Sequence, residues 1–142
     1  MVETDQFMKS FNAPAGQKQR VDQYFAYSFY QSQASKTLDW DDLHSKLPHA
    51  LAKQCIFYSN RHLLDPMFME YGSENLMREL SIKLKSMIYL PSDFIITKDT
   101  IGDEMYFIAE GSVLVLASDK QTVVNTLRKG AYFGEIAIFC SG

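Results

Sequence analysis

The sequence has no long apolar run: none approaches the roughly 18 consecutive apolar residues that a membrane-spanning helix requires. Its first five residues, Met-Val-Glu-Thr-Asp, contain two acids and no apolar stretch, so they indicate no secretion signal. Cysteine is scarce, and Cys55 and Cys140 lie too far apart for a metal-binding spacing, which predicts two reduced, buried thiols. These absences predict a soluble chain, so any link to a membrane has to come from sequence outside it.

An excess of positive charge is also missing, since 14 basic and 17 acidic side chains leave a formal charge of −3. This balance argues against binding to nucleic acid or to an anionic membrane surface. The three histidines, His44, His49 and His62, show no paired metal-ligand spacing, and neither a metal site nor a catalytic cluster is indicated. The content of 46% hydrophobic and 13% aromatic residues is that of a folded protein. The sequence therefore predicts a globular protein that is not an enzyme.

Before Met87, apolar residues recur at helical spacing and predict four helices. The first carries Tyr24, Phe25 and Phe29 on one face and follows a turn marked by Pro14 and Gly16. The other three are predicted to begin near residues that are typical of helix starts: Asp39, Pro48 and the N-cap residue Ser73.

After Met87, short β-rich runs alternate with turns. Short strands at this spacing are typical of a sandwich, barrel or jelly roll. The fold class is therefore predicted to be α+β, with a boundary near residues 65–72. The predicted strands are Met87–Leu90, Phe94–Thr97, Met105–Ala109, Ser112–Ala117 and Thr122–Leu127.

The segment Gly130–Ile138, GAYFGEIAI, places a glycine before a carboxylate at the predicted start of a short helix. Gly134 would let the backbone approach a ligand closely. The free N–H groups of a helix start can receive a phosphate, and Glu135 can accept a hydrogen bond from a sugar hydroxyl. On its own, the tripeptide Phe133-Gly134-Glu135 is more often a surface turn with a solvated glutamate.

Three runs precede this segment in order: LPSDFII at 90–96, TIGDEMYFI at 100–108 and GSV at 111–113. Together with YFGE at 132–135, they closely resemble the cyclic-nucleotide-binding domain family, from Leu63 to Ile138. The resemblance implies a helix-flanked antiparallel β-jelly roll with a phosphate-binding cassette, and cAMP or cGMP as ligand with no cofactor. Glu135 would bind the ribose 2′-hydroxyl, the backbone of residues 134–137 would line the cyclic phosphate, and apolar side chains would lie near the base, where the two valines could equally be ordinary core. The implied ligand-binding residues are Phe133, Gly134, Glu135, Ile136, Ala137, Val113 and Val115.

The sequence departs from the family pattern at two turns and at its end. Ser92 and Asp99 stand where the family usually has glycine, which we expect to change the shape of those turns rather than to abolish function. The family's cassette continues to an arginine that pairs with the phosphate, and the sequence stops at Gly142, before that position. The resemblance therefore predicts a truncated jelly roll, and we expect the 142-residue chain by itself to bind cyclic nucleotide poorly.

The helical first half, from Phe7 to Leu64, resembles the C-linker of cyclic-nucleotide-regulated channels, most clearly in RVDQYF at 20–25, LHSKLP at 43–48 and NRHLL at 60–64. This implies a C-linker-like region at 1–64 and a nucleotide-binding domain at 65–142. It further implies a homo- or hetero-tetrameric cation channel, with potassium as the expected ion, on the cytoplasmic side of a plasma or ciliary membrane. The chain would couple nucleotide binding to the pore of its own parent chain, and the aromatic face of the first helix would pack within or between subunits.

Two other functions are compatible with the cassette. A regulatory subunit of a cyclic-nucleotide-dependent kinase would be expected to carry a basic inhibitory segment, and often a second nucleotide domain, and the first half shows neither. A vestigial domain that no longer binds nucleotide, as in ether-à-go-go-like potassium channels, shares a similar linker. The intact Gly134-Glu135-Ile136-Ala137 argues against that reading without excluding it. The sequence leaves the choice between cAMP and cGMP open.

Overall fold

The computed structural model describes residues 14–34 and 40–135. Within these residues, helices come first and short antiparallel strands follow, which confirms the predicted α+β class. The described residues show no strand before residue 65 and no helix between 94 and 127. The elements are α1 (Ala15–Ala34), α2 (Trp40–His44), α3 (His49–Tyr71), α4 (Glu74–Ser81), β1 (Tyr106–Phe107), β2 (Ser112–Leu116), β3 (Val123–Arg128) and β4 (Tyr132–Phe133).

The described residues divide into two compact units, 14–34 with 86–95, and 40–85 with 96–135. The first unit consists of α1 and a turn-rich segment, and Arg20 of α1 donates to the carboxylate of Asp93. Gly16 was predicted in the turn before this helix, but it lies inside α1, whose first bonds run from the N–H groups of Gln17 and Lys18 to the Pro14 carbonyl. Proline fits this position because it needs no N–H partner there.

The aromatic face predicted for α1 lies on a helix but is not buried in this chain. Tyr24, Phe25 and Phe29 expose 40%, 51% and 68% of their surface. The first two pack edge to face, with ring centroids 5.8 Å apart. Helical periodicity therefore predicts correctly that these side chains lie on a helix, but it does not predict whether that face is buried.

The predicted strands Met87–Leu90 and Phe94–Thr97 are wrong, since both stretches are irregular. The turn between them uses the backbone groups that a sheet would need. Asp93 N–H donates to the Leu90 carbonyl at 3.0 Å, and Leu90 N–H donates to Asp93 Oδ2 at 2.9 Å. Ser92, the third residue of this turn, has φ +72°, a conformation that glycine adopts most easily.

A second turn, Thr97–Thr100, repeats this arrangement in the other unit. Thr100 N–H donates to the Thr97 carbonyl at 3.2 Å, and the third residue, Asp99, has φ +69°. Asp99 and Ser92 are the two positions where the sequence replaces an expected glycine. The turns have therefore kept their left-handed backbone although the glycine is absent from both.

The buried core of the second unit lies between α3 and α4. Phe57, Leu64 and Met67 of α3 and Met77 of α4 form a buried cluster. Each such side chain contributes about 1.5–3 kcal/mol when it leaves water. Partly buried apolar residues from α4, the segment after it and the strands pack against this cluster: Leu80, Leu84, Met105, Phe107 and Tyr132.

The start of α4 confirms the predicted N-cap. Ser73 is the N-cap, and its hydroxyl accepts from Leu76 N–H at 3.4 Å. Arg78 donates to Glu74 one turn earlier at 2.6 Å, and its guanidinium lies 4.3 Å from the centre of the Phe57 ring. The helix ends at Ser81, and Leu84, which lies beyond it, packs against the core.

Helix α3 begins directly after Pro48, as predicted, and runs to Tyr71 with Pro66 inside it. It therefore continues across the predicted boundary at residues 64 and 65, and the division into domains 1–64 and 65–142 stays a prediction. Cys55 on this helix is a free, half-buried thiol, less buried than predicted. Cys140 lies outside the described residues.

The strands form one long antiparallel hairpin interrupted near its middle. Strand β1 pairs with β4, with Tyr106 opposite Phe133, and β2 pairs with β3, with Ser112 opposite Arg128. Between the two paired stretches, Ile108 N–H donates to the Ala131 carbonyl at 2.9 Å. Three of the predicted strands are thus confirmed: β1 and β2 are shorter than predicted, and β3 is shifted by one residue. Strand β4 was not predicted.

Candidate functional site

The predicted ligand-binding residues fall in two different sheets. Phe133 ends β4, and Gly134 and Glu135 follow it, with Glu135 helical and half-buried. Val113 and Val115 lie in β2, opposite Leu127 and Asn125 of β3. Val113 is half-buried and Val115 is 39% exposed, so neither belongs to the buried core. Two further predicted residues, Ile136 and Ala137, lie outside the described residues.

Gly134 occupies a position that excludes any side chain. Its φ is +86°, and a Cβ placed there would lie 2.7 Å from the carbonyl oxygen of Glu104 and 3.4 Å from Cα of Met105. Any other residue would be strained by its backbone conformation. Its Cβ would also collide with the backbone of Glu104 and Met105, the two residues before β1. Gly134 therefore lies close to the chain's own backbone, and the close approach to a ligand stays a prediction. This backbone contact fixes the direction in which Glu135 leaves the sheet.

An aromatic pair holds the residue before this turn. The Phe133 ring stacks on the ring of its cross-strand partner Tyr106, with centroids 5.2 Å apart and planes 16° from parallel. The Tyr106 hydroxyl donates to Glu104 Oε2 at 2.6 Å. Phe133 of β4 and Glu104, which lies two residues before β1, are thus joined through one tyrosine.

The opposite face of the same strands is attached to the core. Side chains alternate along a strand, so Met105 and Phe107 point away from the Tyr106 face. Both pack, with Tyr132, against the buried cluster of α3 and α4. The turn at Gly134 is therefore carried by a ribbon anchored to the main core of its unit.

Sequence reasoning missed Glu104 and Tyr106 as parts of this site. Their i, i+2 spacing in Glu-Met-Tyr-Phe was a usable signal, because it places both on one face of a strand. The missing information was the register, which brings Tyr106 opposite Phe133. Lys129 pairs with Glu110 across the turns that join the two paired stretches.

The resolved pKa shift among the described residues lies at the hairpin tip. The Asp119 carboxylate accepts from the Thr122 hydroxyl and from the N–H groups of Gln121 and Thr122, at 2.9 Å for each N–H. These hydrogen bonds, that of the Thr122 side chain first, lower the pKa of Asp119 to about 2. They stabilise a turn in which Lys120 has φ +58°.

Residues 87–142 match the family model of the cyclic nucleotide-binding domain. The chain is 33% identical over 138 residues to the cyclic nucleotide-gated channel beta-3 of Mus musculus, an alignment that covers 96% of the chain and 20% of that relative. It is 29% identical over 144 residues to the cyclic nucleotide-gated channel beta-1 of Homo sapiens, covering all of the chain and 11% of the relative. It is also 29% identical over 141 residues to the potassium/sodium hyperpolarization-activated cyclic nucleotide-gated channel 2 of Mus musculus, covering 99% of the chain and 16% of the relative.

The chain thus spans a fifth or less of the length of these three relatives. In the part of the chain that the structure describes, no helix combines the length and apolar character needed to cross a membrane. Within the same residues, no group of three or more histidine, cysteine, aspartate or glutamate side chains is arranged to hold a metal ion.

Proposed function

We propose, from the membership of residues 87–142 in the cyclic nucleotide-binding domain family, that this chain is the cytoplasmic regulatory module of a tetrameric cation channel. Binding of cAMP or cGMP at the Gly134–Glu135 turn would bias the pore of the same protein toward opening. The observation that carries the proposal is the backbone contact of Gly134, because it sets a carboxylate at the end of an anchored sheet within the matched residues.

The proposed binding reaction uses few groups. The Glu135 carboxylate accepts a hydrogen bond from the ribose 2′-hydroxyl, and the backbone N–H groups of residues 134–137 face the cyclic phosphate. Phe133, together with Val113 and Val115, supplies apolar surface near the base. No bond is made or broken in the nucleotide, so the protein acts as a receptor and not as an enzyme.

The channel assignment is supported by how much of the chain the relatives match. The alignments cover 96% or more of this chain and therefore include its helical half as well as the nucleotide-binding residues. A kinase regulatory subunit would share the second half alone. Because the relatives include both cyclic nucleotide-gated and potassium/sodium channels, we keep potassium as one candidate ion of a cation channel.

Coupling to the pore requires the conformation of the helical half to differ between the nucleotide-bound and nucleotide-free protein. A nucleotide can shift the open–closed equilibrium only by its difference in affinity for the two states. The exposed aromatic face of α1, at Tyr24, Phe25 and Phe29, supports packing between subunits, since apolar rings of this size are usually covered in an assembly. The module would lie under a plasma or ciliary membrane, attached through the parent chain.

Replacing Glu135 by alanine tests the ligand-binding residue. In the gene product expressed from its complete reading frame, we expect Glu135→Ala to weaken binding of cAMP or cGMP by about 1.5–3 kcal/mol, the usual scale for a hydrogen bond to a charged group. Titration calorimetry gives the affinities. Glu110→Ala is the matched control, because Glu110 is an exposed glutamate that pairs with Lys129. Equal affinities for the wild type and Glu135→Ala would show that this carboxylate does not contact the nucleotide.

A further inference from the structure

We infer that Tyr106 is a positioning residue for nucleotide binding: it holds the Phe133–Gly134 backbone so that the Glu135 carboxylate meets the ribose. This inference rests on the proposed function. Tyr106 lies in β1, whereas the implied ligand-binding residues of the turn follow β4. It would act on the ligand through Glu135 without touching the nucleotide itself.

Tyr106 makes one contact on each side of the Gly134 turn. Its ring stacks on Phe133, the residue before the glycine, with centroids 5.2 Å apart. Its hydroxyl donates to the side chain of Glu104 at 2.6 Å, and the main-chain carbonyl of Glu104 is the atom nearest to Gly134's missing Cβ. One side chain therefore fixes both the strand that enters the turn and the residue against which the turn packs.

The turn needs such a restraint because of the glycine itself. Glycine populates both signs of φ about equally, so Gly134 does not by itself hold the φ of +86° that directs Glu135. A hydrogen bond from a hydroxyl to a carboxylate prefers an angle above about 150° and weakens steeply below about 120°. Loosening the Tyr106 contacts should therefore reduce the contribution of the ribose hydroxyl more than that of the remainder of the nucleotide.

The test compares a cyclic nucleotide with its 2′-deoxy derivative, which lacks the hydroxyl that Glu135 would bind. The gene product from the complete reading frame is titrated with whichever of cAMP and cGMP binds more tightly, and then with the 2′-deoxy form. The wild type should prefer the ribonucleotide by about tenfold or more. Tyr106→Leu should reduce this preference by about threefold to tenfold, the range expected when an aromatic stack is lost. The affinity for the 2′-deoxy form should stay nearly unchanged.

Tyr58→Leu is the matched control, since Tyr58 is an exposed tyrosine of α3, and it should leave the preference as in the wild type. If Tyr106→Leu weakens both ligands equally, or neither, Tyr106 is a structural residue only and the inference is overturned while the proposed function stands. A wild type that binds the ribonucleotide and the 2′-deoxy form equally contradicts the proposed role of Glu135, and the inference falls with it.

Tyr106→Phe covers the case in which the leucine variant does not fold, because it keeps the stack and removes only the hydrogen bond to Glu104. In that case, a preference for the ribonucleotide that is smaller than in the wild type supports the inference. An unchanged preference contradicts it.

Discussion

Gly134 and Ser92 both have left-handed backbone, at φ +86° and +72°, yet only one of them has room for a side chain. Ser92 is exposed, in a turn closed by its own hydrogen bonds. At Gly134 the space of a Cβ is taken by the carbonyl oxygen of Glu104, 2.7 Å away. The outer turn therefore tolerates a residue with a conformational cost, whereas the turn before Glu135 tolerates none. We therefore expect the loss of a glycine to be costly where another backbone lies against it, as at Gly134, and to be tolerated where the space is open, as at Ser92.

Gly134→Ala should have the largest effect of the changes that test this comparison. The alanine would add the cost of left-handed backbone to that of a backbone collision, and we expect unfolding to become easier by about 2–5 kcal/mol. Nucleotide binding should be lost. Gly111→Ala is the control, because Gly111 has the same φ of +86° and nothing within 4 Å of its missing Cβ. Urea denaturation of both variants measures the difference, and equal destabilisation would mean that the contact with Glu104 carries no cost.

Ser92→Gly should move stability in the opposite direction by a smaller amount. Glycine relieves the left-handed strain, while its greater freedom in the unfolded chain offsets part of the gain, so we expect a stabilisation of about 0.5–1 kcal/mol. Ser118→Gly changes an exposed serine whose backbone is not left-handed, and it should be neutral or destabilising. Thermal unfolding distinguishes the two. A destabilised Ser92→Gly would show that the turn does not strain its serine.

The hydrogen bonds at the hairpin tip should make the smallest contribution to stability, and this contribution should depend on pH. Hydrogen bonds lower the pKa of Asp119 to about 2, below its ordinary value of 3.8. Their stabilising contribution is therefore fully present above the unfolded pKa and is lost as the pH falls through about 2. NMR titration of the Asp119 carboxyl should place its midpoint near the lowered value, and Asp119→Asn should remove the acid-induced change in Thr122 amide exchange. A midpoint at the ordinary value would contradict the role assigned to these hydrogen bonds.

Local signals in the sequence were sufficient for features set by neighbouring residues. The N-cap at Ser73, the helix start after Pro48 and the change from helices to strands all follow from short-range patterns. Each of these depends on residues that lie within a turn or two of one another. The tripeptide Phe133-Gly134-Glu135 is also local, but it became informative only together with the ordered runs that begin at residue 90.

The features that sequence reasoning missed depend on which backbone and side-chain partners a segment meets in the fold. The stretch Met87–Leu90 has strand-like composition but is irregular, because the Leu90–Asp93 turn satisfies its own hydrogen bonds. Strand β4 and the Tyr106–Phe133 stack depend on the hairpin register. Whether a helical apolar face is buried depends on a partner, as the difference between the exposed Phe25 and the buried Met77 shows. Local composition and periodicity do not reveal these partners.

In the proposed function, cyclic nucleotide bound at the Gly134–Glu135 turn biases a channel toward opening. The most direct measurement records current from excised inside-out membrane patches that carry the gene product expressed from its complete reading frame, with cAMP or cGMP applied to the cytoplasmic face. We expect at least one nucleotide to increase the current, and Glu135→Ala to raise the concentration needed for half of the effect by about tenfold or more. A current that saturating cAMP and cGMP both leave unchanged, or a Glu135→Ala response identical to that of the wild type, would contradict this proposal.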